Sequence, residues 1–62
     1  MIQVGDLVRF KLPSREQQLL IDTLGKKQAE GVWLVVDRGA KILTLQQGNT
    51  KKVAPDRYLR KI

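Results

Sequence analysis

Cysteine and histidine are both missing from the chain. Their absence removes disulfides, thiolate nucleophiles, imidazole bases and the usual ligands of zinc and other transition metals. Aromatic residues are scarce, with one Trp, one Tyr and one Phe. No stretch approaches the roughly 18 consecutive apolar residues of a membrane span. The opening Met-Ile-Gln-Val-Gly-Asp lacks the basic-then-apolar pattern of a secretion signal, so a cytoplasmic location is expected, with no membrane partner. The 62 residues leave room for one core, so the whole of 1–62 is expected to form a single small domain.

Acidic residues are also in deficit. Six Asp and Glu stand against twelve Lys and Arg, for a net charge of +6. The imbalance is concentrated late, since residues 37–62 hold seven basic and two acidic groups. Such a surface attracts polyanions whatever the fold, although solubility alone is a competing explanation of the charge.

The pattern of apolar residues is mainly that of short β-strands. Val8, Phe10 and Leu12 alternate with Arg9 and Lys11, which marks a half-buried strand. Pro13 ends it, and Ser14 with Gln17 matches a capping box opening a short helix over 15–24, closed by Gly25. Residues 26–31 show no periodicity and read as loop. Val32 to Val36 is a dense β-branched and aromatic run, 37–40 a turn, and 41–46 a further strand. Gly48-Asn49 signals a hairpin whose returning strand is 51–54. Pro55 to Tyr58 fits one tight or 3₁₀ turn, and Leu59 to Ile62 a last short strand.

A four-residue turn at 37–40 would set Leu34 opposite Leu43 and Val32 opposite Leu45. A three-residue loop, Gly48 to Thr50, would then set Leu45 opposite Val53 and bury it. On this register the core face carries Val32, Leu34, Leu43, Leu45 and Val53. The other face carries Trp33, Val35, Ile42, Thr44, Lys52 and Ala54. It is either covered by the 13–31 segment through Leu20 and Leu24, or left open with Trp33 as a flat stacking surface.

Five short strands, a short helix or long loop at about 14–30 after the first, and a Pro-containing turn before the last resemble a Src-homology-3-like small β-barrel. The segment Pro55-Asp56-Arg57-Tyr58-Leu59 is similar to the Pro-x-x-Tyr-aliphatic stretch closing those domains, where the resemblance implies a groove-lining role for the tyrosine. Gly5-Asp6-Leu7-Val8, with Lys52-Val53-Ala54-Pro55-Asp56-Arg57, also resembles the C-terminal barrel of retroelement integrases. That resemblance implies binding to DNA without base specificity.

No spacing among the carboxylates, hydroxyls and lysines forms a recognised catalytic constellation, so the chain is expected not to be an enzyme, and nothing points to a cofactor, metal or small-molecule substrate. Neither Gly39 nor Gly48 precedes a helix as a phosphate-cradling loop would. The basic side chains carry the best-supported chemistry, because Arg grips a phosphate with two donors and Lys supplies a point charge. Lys41, Lys51, Lys52, Arg57, Arg60 and Lys61, with Trp33, are the candidate contacts to DNA or RNA. In the alternative, an adaptor within a larger protein assembly, the contacts are Trp33, Val35, Ile42 and Tyr58.

Overall fold

The computed structural model describes residues 1–62. It is mainly β: five antiparallel strands with helical structure between the first and second. The strands are β1 (Leu7–Phe10), β2 (Trp33–Arg38), β3 (Ile42–Gln47), β4 (Thr50–Pro55) and β5 (Leu59–Lys61). They lie in the order β4-β3-β2-β1-β5, which is consistent with a Src-homology-3-like fold. The 3₁₀ turn Asp56–Tyr58 joins β4 to β5, as its Pro-led sequence foretells.

That turn constrains the whole sheet. β4 and β5 are its two edges, four strand spacings apart, which in a flat sheet is about 19 Å. Yet only four Cα steps lead from Pro55 to Leu59, and these span at most about 14 Å. The sheet must therefore roll towards its own edges, and its concave side becomes the core.

The rolled interior holds Val8, Trp33, Val35, Leu43, Leu45, Ala54 and Leu59, with Ile2, Phe10 and Leu24 packed at the margin. All three expected pairings are therefore corrected, Leu34 lying opposite Gln46, and Leu45 opposite Val35 and Lys52. The β3–β4 connection is a two-residue turn, with Gln47 opposite Thr50 and Leu45 opposite Lys52. Within this turn Gly48 takes a positive φ, 58°, and Asn49 does not, as a type II′ turn requires. In β2 the strand continues through Asp37 and Arg38, and the register shifts between Val35 and Asp37. This bulge lets Val35 pair with Leu45 below it and Arg38 with Leu43 above. Leu34 and Val53 consequently face outward, Val32 is only half-buried, and Trp33, Val35 and Ala54 are interior.

The segment expected as helix then loop is two helices, α1 (Ser14–Leu24) and α2 (Lys26–Glu30). No side chain caps α1; the Gln17 N–H donates instead to the Pro13 carbonyl, 2.8 Å away, so the capping box is not formed. Gly25 ends α1 and starts α2 at φ 91°, where a side chain would be strained. A single turn such as α2 is too short to display periodicity, and only its Ala29 is buried. Leu24 reaches the main core, so α1 adds to one core and builds no second one over Ile42.

Polar bonds fasten α2 to the sheet. The Gln28 carbonyl accepts from Trp33 Nε1 at 3.0 Å and from Gln47 Nε2 at 3.5 Å, and the same amide nitrogen reaches the Val32 carbonyl at 3.2 Å. A methyl group on Gly31 would sit 2.7 Å from both Gln47 Nε2 and the Lys27 carbonyl, which explains glycine there.

The two faces differ in what they tolerate. Val53→Lys, at 63% exposure, is expected to shift stability by no more than about 0.5 kcal/mol. Leu45→Ala should cost about 2–5 kcal/mol, because Leu45 is wholly enclosed in a core of seven residues. Urea midpoints of the two variants check this; a severe loss in Val53→Lys would restore the other register.

Candidate anion-binding surface

The chain enters the sheet through a turn built on Gly5-Asp6. The Asp6 N–H donates to the Gln3 carbonyl at 3.0 Å, and Gly5, at φ 95°, occupies the position where a type II turn requires positive φ. The Gln3 N–H returns a bond to Asp6 Oδ2 at 2.8 Å. That bond, aided by Lys61 Nζ at 3.5 Å and the N-terminal ammonium against an opposing effect of burial, holds the Asp6 carboxyl below the ordinary aspartate range. Lys61 is thus drawn to a carboxylate and lies opposite Val8.

β1 and β5 place cations together. Arg9 lies directly opposite Arg60, and Lys11, two residues on, donates its N–H to the Tyr58 carbonyl at 2.6 Å. Arg57 lies over the Tyr58 ring, Cζ 4.8 Å from the centroid, with Nη2 3.5 Å from the hydroxyl. All four cationic residues are exposed, and none is in an ion pair. Like charges facing each other across a ladder repel, so this arrangement costs stability until an anion neutralises it.

Of the expected contacts, Arg57 and Arg60 fall in this strip. Lys41 lies in the β2–β3 turn, and Lys51 opposite Gln46 on the far edge strand. Lys52 is half-buried and lies opposite Leu45 in the ladder. Arg9 and Lys11, which complete the strip, were not among the candidates. Their alternation with apolar residues marks a solvent face, but their neighbours become visible only once β1 is known to pair with β5.

Trp33 is fully buried, its ring edge-on to Phe10 at 5.9 Å and 84°. An open stacking surface at Trp33 is therefore corrected: the inward side of β2 and the indole bond to Gln28 seal the ring inside. Val35, at 1% exposure, is interior for the same reason. Ile42 is exposed and Tyr58 half-buried, so the alternative contact set keeps only these two.

Elsewhere, an open polar depression of about 540 Å³ lies between α2 and the β3–β4 turn, lined by Lys27, Gln28, Gln47, Asn49 and Thr50 among others. Arg38 pairs with Asp56 at 3.6 Å, tying the end of β2 to the 3₁₀ turn. No helix is long and apolar enough to cross a membrane.

The chain matches no protein-family model, and neither a curated protein nor a solved structure resembles it significantly.

The Asp6 turn has a pH signature. A carboxyl held below its unfolded pKa contributes stability that is complete above about pH 4 and lost as pH falls through its folded value. Asp6→Asn should therefore be less stable than the parent at neutral pH, with the gap closing in acid. Urea melts between pH 7 and pH 2 measure it; a gap independent of pH would contradict the assignment.

Proposed function

We propose that the protein is a non-catalytic nucleic-acid-binding module that grips the phosphate backbone without regard to sequence, as an accessory or regulatory domain. One observation carries this reading: Arg9 and Arg60 directly opposite each other, flanked by Lys11 and Arg57, with no carboxylate paired to any of them. Phosphate is the anion that suits such a cluster, because each guanidinium offers two parallel donors and the charges follow the strand direction. The net charge of +6 supplies the longer-range attraction.

The strand order supports the same reading through its likeness to Src-homology-3-like barrels, as does the resemblance of the opening and closing segments to the integrase barrel. The contacts differ from those expected of the late basic cluster alone. Arg57 and Arg60 keep their role, Arg9 and Lys11 join them, and Lys41, Lys51, Lys52 and Lys61 contribute through the general field. An adaptor built on Trp33 and Val35 would require opening the core.

Arg9→Gln and Arg60→Gln should weaken binding to every nucleic-acid sequence alike. Each phosphate contact removed should lower the slope of log K against log salt by roughly 0.7–0.9. Lys41→Gln should act far less. Fluorescence anisotropy with labelled oligonucleotides at several salt concentrations reads both quantities, and an unchanged slope in the double Arg variant would reject this surface.

A further inference from the structure

We infer that Tyr58, with Arg57 lying over its ring, is a stacking platform for an unpaired base, and that the favoured ligand is a single strand. The inference rests on the phosphate-binding reading and gives it a substrate class. Of the chain's three aromatic residues, Trp33 is sealed in the core and Phe10 packs against it. Tyr58 is the aromatic residue placed beside the strip, its carbonyl held by the Lys11 N–H at 2.6 Å. The guanidinium of exposed Arg57 lies over one ring face at 4.8 Å. A planar base can replace that guanidinium on the ring or lie upon it, in either case between a π-face and a cation.

The remaining surface argues against a duplex at this site. Proteins that read duplexes commonly lay a basic helix in the major groove, about 12 Å wide. Here α1, the longer helix, carries one cation, Arg15, against Glu16 and Asp22. The β3–β4 hairpin carries Lys51 and Lys52 opposite Gln46 and Leu45, so their ladder partners are on β3 and not on β1 or β5. The Arg9–Arg60 pair sits on two strands whose axes are about 5 Å apart, so the strip presents one line of cations along the ladder.

The test compares four labelled probes of equal length by anisotropy: a mixed-sequence DNA strand, its RNA counterpart, an abasic DNA strand retaining every phosphate, and a duplex. The intact protein should bind both base-bearing strands more tightly than the abasic strand or the duplex. Tyr58→Leu should lower affinity for base-bearing strands roughly 5- to 150-fold and affect the abasic strand far less, whereas Tyr58→Phe should retain binding. Emission of the buried Trp33 verifies that Tyr58→Leu is folded, and the abasic comparison needs no variant at all. Equal affinity for abasic and base-bearing strands, or tighter binding of the duplex, overturns the stacking inference while leaving the phosphate reading intact. Absence of binding to all four probes at low salt overturns both.

Discussion

The short link between opposite edges of the sheet governs the remainder of the molecule. Because Asp56–Tyr58 must carry the chain from β4 to β5, the sheet has to roll, and rolling separates an inside from an outside in a domain too small for a second layer of strands. The Arg38–Asp56 pair braces the start of this link, and the Lys11–Tyr58 backbone bond fastens its end to β1. Once β5 is docked there, Arg60 has no position except opposite Arg9. Stability and the charged strip thus share one cause.

The interior follows from the same geometry. A rolled sheet of five short strands encloses little volume, and one indole takes much of it. Small Ala54 on β4 is then the inward residue, and the larger Val53 goes outside. The helical segment contributes mainly Ala29, Leu24 and the Gln28 carbonyl that receives the indole N–H. It works as a lid on the Trp33 end of the core.

The strand positions, the Pro-led turn and the helix ending at Gly25 were legible in the residues, because alternation, proline and glycine act locally. The choice of inward face was not. It depends on a bulge at Val36, which no residue type announces, and on a turn one residue shorter than burial of Val53 would favour. Size alone pointed to Val53 over Ala54, whereas the two-residue turn sets Ala54 opposite buried Leu43 and Val53 opposite Thr44. The site was half legible for a related reason. Nearness in sequence groups Lys51, Lys52, Arg57, Arg60 and Lys61, but antiparallel pairing sorts them by ladder neighbours and sends the first two to the opposite edge. Arg9 lies fifty-one positions from Arg60 in the chain and directly opposite it in the sheet. The alternating Arg9 and Lys11 were the available signal, and they acquire a meaning only when the first and last strands are paired.

The most direct test is to map backbone amide shifts of the uniformly labelled protein during titration with a short single-stranded oligonucleotide. Perturbations should concentrate at Arg9, Lys11 and residues 57–60, with the amides of Trp33 and of the Gly48-Asn49 turn little moved. Perturbations centred on the β3–β4 turn and α2, with the β1–β5 ladder silent, would contradict the proposed surface.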